Sequence, residues 1–231
     1  MPAEEVQASL PTQPGARRAA ELALARGAET KKRILENATE LASREGLEAL
    51  TIGKMAEALD MSKAGLFAHF GSKEELQLAT VNAARKVFIE KAMAPALQAD
   101  AGLPRLAALC EHWLDYSGSF EGGCFFAAAA SEFDGRPGPV RDRIAECMKE
   151  WISALERAVK EAQKLGHVAA DVDATQIAFE LNALSLGSNW SRQLFNDRSA
   201  VRRCRAAVLE RLSWIATEAG RRRLKLTGRP K

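Results

Sequence analysis

Residues 51–70, which read TIGKMAEALDMSKAGLFAHF, decide the fold of this chain. Thr51 and Ser62 each precede a short run with helical spacing, and such hydroxyl side chains are typical N-caps. Asp60 and Met61 separate the two runs and predict a tight turn. The apolar side chains that would pack these helices on a third are Met55, Leu59, Leu66 and Phe70. The stretch therefore predicts a helix-turn-helix.

The outward face of the second short helix is polar and contains no acidic residue. It consists of Ser62, Lys63, Ala64, Gly65, Ala68 and His69. Amide groups at the helix N-terminus add partial positive charge, and Lys63 can donate a hydrogen bond to guanine. We interpret this face as one that enters a DNA major groove. The alternatives are a solvated Lys63 and a packed, uncharged His69.

Helical patterns flank this stretch on both sides. A first helix is predicted to begin at Thr30 and to end at Gly46. Ser72, with Glu75 three residues later, predicts the start of a fourth helix over about 73–93, which Pro95 ends. Residues 1–28 are predicted to be mostly a mobile arm, with 19–26 as a candidate helical part. The arm either touches DNA phosphates or is simply solvated.

Beyond Gly102 the helical patterns become longer. The predicted spans are 103–119, 124–133, 140–165, 173–195 and 198–219. Because no segment alternates between apolar and polar residues, we expect an all-α protein of about nine helices. The predicted division is an arm (1–28), a three-helix helix-turn-helix DNA-binding domain (29–90), a helical ligand-binding and dimerisation domain (91–220) and a basic flexible tail (221–231).

Composition excludes several classes of protein. The four cysteines contain no C-x-x-C pair, so we expect reduced thiols and no metal site. No window approaches ~18 apolar residues, and no signal peptide is recognisable, so we expect a cytoplasmic protein that does not contact a membrane. The motifs of common hydrolases and phosphate-binding enzymes are missing from the sequence, which predicts a non-enzyme without cofactors.

The stretch Thr30–Leu76 resembles the DNA-binding domain of the TetR family of transcriptional regulators. The resemblance includes the glycine after the opening helix and the closing signature FAHFGSKEEL over 67–76. It implies that DNA is contacted by the following residues: Ile52, Gly53, Lys54, Ser62, Lys63, Ala64, Gly65, Phe67, Ala68, His69 and Lys73. Phe67 replaces a common tyrosine and Ala68 carries no polar group, which implies fewer phosphate contacts.

Aromatic side chains are concentrated in the middle helices, where a ligand site is expected. The predicted ligand-binding residues are Trp113, Tyr116, Phe120, Phe125, Phe126, Trp151, Phe179, Asn182 and Trp190. An aromatic wall with few polar groups favours a largely apolar or aromatic small-molecule effector. The alternative is that most of these side chains are ordinary core.

The segment 173–195 is apolar on nearly all sides, so it must be covered on two sides. With 198–219 it would form half of a four-helix interface between two subunits, as in the resembled family. The predicted interface residues are Leu181, Leu184, Ser188, Val201, Val208, Leu212 and Ile215. A monomeric bundle core is the alternative.

These features together predict a dimeric regulator that binds a palindromic operator in double-stranded DNA and is released by a ligand. An activator is also compatible with the sequence. The competing class is a helical ligand-binding or protein-interaction module whose DNA-binding domain has lost its function.

Overall fold

A computed structural model describes residues 14–224, and within them ten helices and no β-strand. The helices are α1 (Pro14–Glu45), α2 (Ile52–Ala58), α3 (Lys63–Phe70), α4 (Lys73–Phe88, continued by Ile89–Met93 and Ala94–Ala96), α5 (Leu103–Tyr116), α6 (Phe125–Phe133), α7 (Pro139–Lys164), α8 (Ala174–Phe195), α9 (Ala200–Ile215) and α10 (Glu218–Arg223). The all-α prediction is confirmed, with one helix more than expected in the described part.

The N-terminal helix is longer than the sequence suggested. It already includes Pro14, so the prediction of a start at Thr30 is wrong, and residues 14–28 of the predicted arm are helical. A single glycine such as Gly27 costs only about 1 kcal/mol in a helix interior, so it does not interrupt α1. The part of the predicted arm before Pro14 lies outside the described residues.

Helix α4 runs from the small N-terminal bundle into the larger C-terminal one. It packs on α1 at one end and on α7 along its length. Pro95 does not end it, because a π-helical turn at Ile89–Met93 precedes the proline and the helix continues to Ala96. The helix therefore crosses the predicted domain boundary at 90/91 and is shared by both parts.

The last predicted helix, 198–219, is two helices. Backbone pairing with the segment after α7 separates the two helices. The Thr217 amide donates to the His167 carbonyl at 3.0 Å, and Val168 forms an isolated antiparallel bridge with Ala216. Residues Arg221–Arg223, assigned to a flexible tail, belong to α10, and the tail from 225 onwards lies outside the described residues.

One continuous apolar core joins the two parts of the chain. It extends from Ile34 in α1 to Ile215 in α9. Helix α8 packs against α7 and α9, and α5 packs against α4, α7 and α9. No helix among the described residues is long and apolar enough to cross a membrane.

Candidate DNA and ligand sites

The helix-turn-helix is held by local hydrogen bonds that its sequence encodes. The hydroxyl of Thr51 accepts from the Lys54 amide at 3.1 Å, and that of Ser62 accepts from the Gly65 amide at 3.0 Å. Asp60 adopts the left-handed conformation with φ 52°, which reverses the chain between α2 and α3. Met55, Leu66 and Phe70 are buried beneath, as predicted, so the opposite face of α3 is left to solvent.

Every residue predicted to contact DNA is at least partly exposed. Ser62, Lys63, Ala64, Phe67 and Ala68 are exposed, whereas Ile52, Gly53, Lys54, Gly65, His69 and Lys73 are half-buried. The side chain of Lys63 lies beside Gly53, which brings the N-termini of α2 and α3 to one surface. These N-termini form a compact polar patch suited to phosphate and base edges.

Two lysines at the edges of this patch are ion-paired with glutamates at the end of α1 and in the turn that follows it. Lys54 donates to Glu45, and Lys73 Nζ lies 2.5 Å from Glu48 Oε1. The bond from each lysine holds the pKa of its glutamate below the usual range. DNA phosphates must therefore compete with two carboxylates for these lysines.

The joint between the two parts of the chain is built around Glu132, near the end of α6. Its carboxylate accepts hydrogen bonds from the backbone amides of Leu47 and Glu48 at 2.7 and 3.1 Å. Gly46, just before them, has φ 88°, and a β-carbon there would lie 2.8 Å from Glu132 Oε1. Only glycine suits both the backbone conformation and the close carboxylate.

The loop before α6 adds a second contact at this joint. Gly122 approaches α1 so closely that a β-carbon on it would lie 1.8 Å from the carbonyl oxygen of Ser43. The Glu121 amide donates to Glu40 at 3.0 Å, and Arg44 pairs with the Glu121 carboxylate. The C-terminal end of α1 is thus attached to both the α5–α6 loop and α6.

A small internal cavity lies between α4, α5, α6, α7 and α8. Its volume is about 20 Å³, which is room for one water molecule rather than a ligand. Phe88 fills the centre, with its ring edge-on to Trp151 (5.3 Å between centroids) and Tyr116 (4.9 Å). Trp151 Nε1 donates to Asn182 Oδ1 at 3.2 Å.

Two polar features stand out at this cavity. Arg85 Nε donates to Glu150 Oε2 at 2.7 Å across the wall, and this bond raises the pKa of Arg85. The Tyr116 hydroxyl is buried without a hydrogen-bond partner among the described residues, and burial raises its pKa. A buried hydroxyl left unpaired is available to a bound polar group or water.

An open groove of about 790 Å³ follows the outer surface between α8 and α9. Phe179 and Trp214, 64% and 58% exposed, stand in it. Ala183 and Gly187, one helical turn apart on α8, form its floor together with Ala207 on α9. Small residues between exposed aromatic rings let another helix approach closely.

Two family models match the chain, and together they cover about two thirds of it. "Bacterial regulatory proteins, tetR family" matches residues 34–80, and "Tetracyclin repressor-like, C-terminal domain" matches residues 102–208. The chain belongs to the TetR family of transcriptional regulators. TetR-family regulators are DNA-binding transcription factors rather than enzymes, and this chain is a DNA-binding regulator.

Solved structures agree with this fold. A TetR regulator from Chloroflexus aurantiacus J-10-FL is 21% identical, with a TM-score of 0.77 over 83% of this chain and 98% of its own. One from Cytophaga hutchinsonii is 20% identical, with a TM-score of 0.75 over 84% and 98%. A regulator from Saccharomonospora viridis, in complex with choline, is 24% identical, with a TM-score of 0.72 over 83% and 100%. No curated protein sequence matches the chain significantly.

In this TetR-family chain, part of the predicted ligand set converges on the cavity. Trp113, Phe126, Trp151 and Asn182 line it. Tyr116 and Phe125 are buried in the aromatic cluster around it, and Phe120 packs on Tyr116 at 5.9 Å between centroids. Phe179 and Trp190 are 64% and 61% exposed on the surface of α8 and do not line this cavity.

The predicted dimer residues fall on two different sides of α8 and α9. Leu184 and Ser188 line the outer groove, and Val201 is packed against the core. The remaining four, Leu181, Val208, Leu212 and Ile215, are buried in the chain's own core, so their assignment to an interface is wrong. They form the inner stripe of each helix, and the outer stripe is the one available to a partner.

Several cavity residues were missed by the sequence reading. They are Arg85, Phe88, Ile89, Met93, Cys124, Cys147, Met148, Glu150 and Leu186. Seven of them lie on α4 and α7, which meet only in the tertiary fold, as Arg85 and Glu150 do. Opposite charges on two long helices were the one available signal, and many other pairs in this sequence carry it.

Proposed function

We propose that this protein is a ligand-released repressor that binds a palindromic operator as a homodimer. The observation that carries the proposal is the exposed, acid-free face of α3, with Lys63 beside Gly53 and the N-termini of two helices on one surface. On this proposal Lys63, Ala64 and Gly65 face base edges. Lys54, His69 and Lys73 hold the DNA backbone, supported by Ile52, Gly53, Ser62, Phe67 and Ala68.

The homodimer supplies the second half-site contact. Its interface on this proposal is the outer groove of α8 and α9, where Phe179 and Trp214 are exposed. Two helices from each subunit make a four-helix interface, and a two-fold axis presents the same groove twice. The recognition helices then reach half-sites about 34–36 Å apart, or a multiple of that distance.

Ligand release follows from the state of the cavity. At about 20 Å³ it is closed to an effector, so a ligand must displace side chains such as Phe88 to bind. A ligand that prefers the opened form shifts the population towards it by that difference in affinity. Helix α4 carries the displacement from Phe88 to Lys73 beside the recognition helix. A similar structure, solved in complex with choline, supports a small-molecule ligand.

Footprinting on the DNA upstream of the protein's own gene tests the proposal. We expect two protected half-sites with inverted sequence, about one helical turn apart. Lys63→Ala should relax base preference at one position of each half-site. Lys73→Ala should weaken binding to all DNA sequences and reduce the slope of log affinity against log salt concentration by about one. Protection that is absent, or equal on scrambled DNA, would favour the protein-interaction class instead.

A further inference from the structure

A second surface groove, between the end of α4 and the middle of α7, adjoins the internal cavity. Its volume is about 630 Å³, within the range of small-molecule sites. The wall between groove and cavity consists of residues that line both: Arg85, Ile89, Met93 and Glu150. Groove and cavity are therefore separated by a single layer of side chains.

This wall is built from side chains that can move. Ile89 and Met93 belong to the π-helical turn of α4, and turns of this kind are frequent at functional sites. Methionine is unbranched and adopts new rotamers easily. The Arg85–Glu150 pair is roughly one-third exposed on the arginine side, so it can open towards water. Rotation of Met93 and Ile89 would join the two spaces.

The groove between α4 and α7 carries an excess of positive charge. Lys149 and Arg157 line it, both exposed and without an ion-pair partner in the described part of the chain. Of its two acidic residues, Glu150 is bound to Arg85 and Glu146 to Arg143. Two cations on one helix face, left unpaired beside neutralised carboxylates, are complementary to an anion.

Apolar surface continues from this charged rim to the aromatic interior. Leu97, 62% exposed, stands at the rim with Ile89 and Met93 behind it. Beyond them lie Phe88 and Trp151. A ligand that contacts both the charged rim and the aromatic interior must have a charged end and an apolar body.

We propose that the effector is an amphipathic carboxylic acid whose apolar body enters the cavity past Met93 and whose carboxylate is held by Lys149 and Arg157. The inference rests on the proposed ligand-released function and specifies the chemistry of its ligand. A cation of the same shape is disfavoured by Arg85, Lys149 and Arg157 at the entrance, although aromatic walls accept cations. A neutral analogue leaves both exposed cations without a partner.

The test uses three probes with one ten-carbon chain and different ends: decanoate, decanol and decyltrimethylammonium. Calorimetric titration of the full chain, below the micelle concentration, measures each affinity. We expect decanoate to bind about tenfold or more tightly than the other two, since charge-assisted pairs exceed neutral contacts. The double variant Lys149→Gln, Arg157→Gln should remove the preference for decanoate and leave decanol binding unchanged.

The matched control is Arg141→Gln with Lys160→Gln, which removes two exposed charges from α7 outside the groove. It should keep the preference for the acid. Equal or tighter binding of the alcohol or the cation, no binding of any probe, or loss of preference in the control would overturn the proposal. DNA binding by the same preparations is measured in parallel, so operator binding without acid binding rejects the acid and leaves the repressor proposal standing.

Discussion

Glu132 Oε2 lies 2.7 Å from the backbone nitrogen of Leu47, at the joint between the C-terminal part of the chain and the helix-turn-helix. The same carboxylate also accepts from the Glu48 amide. Helix α6, which carries Glu132, also carries Phe126 in the cavity wall. One rigid helix therefore touches both the cavity and the turn that leads into α2.

Removal of this carboxylate should loosen the joint. Glu132→Ala leaves two half-buried backbone amides without their acceptor, which costs about 1–3 kcal/mol of unfolding free energy. We expect a lower urea midpoint and weaker operator binding. Glu121→Gln, which affects an exposed ion pair with Arg44, is the control and should change stability by less than about 0.5 kcal/mol.

A double-mutant cycle with Gly46 tests the close approach itself. Gly46→Ala places a methyl group against the carboxylate in a left-handed conformation. Part of the loss of unfolding free energy should disappear in the Glu132→Ala background. The clash with the carboxylate is relieved there, whereas the strain of the left-handed backbone remains. Strictly additive losses would show that the two residues do not interact.

Neutralising Glu45 should strengthen DNA binding. In the free protein its carboxylate holds Lys54, so Glu45→Gln releases a positive charge to the phosphates. We expect an affinity gain of about two- to tenfold at low salt that shrinks as salt is raised. Glu156→Gln, an equal charge change on α7, is the control for net charge, and an equal gain there would contradict the local account.

Much of the helix-turn-helix could be predicted because its signals are local. Thr51, Ser62 and Ser72 cap their helices as expected. The hydroxyl of each accepts a hydrogen bond from a backbone amide. Because each bond joins residues three apart, both partners can be recognised in one short stretch of sequence.

The faces of α8 could not be predicted in the same way. That helix is apolar on nearly all sides, so its periodicity did not tell the buried Leu181 from the exposed Phe179. Which stripe turns inward is decided by packing on α7 and α9. Ala183 and Gly187 were the overlooked signal, since small residues one turn apart favour close helix contact.

If the proposed homodimer forms through the outer groove of α8 and α9, charge placed there should separate its subunits. Ala183→Glu introduces an unpaired carboxylate beside Phe179 and Trp214, which is costly to bury. We expect sedimentation velocity to show monomers and operator affinity to fall by at least about 100-fold, because the second half-site contact is lost. Leu165→Glu, at another exposed leucine, should stay dimeric.

The thiols of Cys110 and Cys124 should be inert in the folded protein. Burial raises the pKa of Cys110 to about 12 and that of Cys124 to about 11, so the reactive thiolate is scarce at pH 8. Peptide mapping after N-ethylmaleimide at pH 8 should find neither modified until urea unfolds the chain. Rapid modification of either in the native state would contradict its burial.

The same shifts predict a loss of stability in alkali. In the unfolded chain these thiols ionise near their ordinary pKa of 9.0, while the folded chain keeps them protonated. Their contribution is complete below about pH 9 and falls as the pH rises through the range up to the folded values. Cys124→Ser should flatten the decline of unfolding free energy between pH 9 and 11.

The central claim is sequence-specific operator binding by the α3 face, and fluorescence anisotropy tests it most directly. The protein is titrated into labelled DNA from upstream of its own gene and into a scrambled duplex of equal length, at two salt concentrations. The account predicts tight binding to the native fragment, at least about 1000-fold over the scrambled one, and loss of that ratio in Lys63→Ala. Equal and weak binding to both duplexes would contradict it.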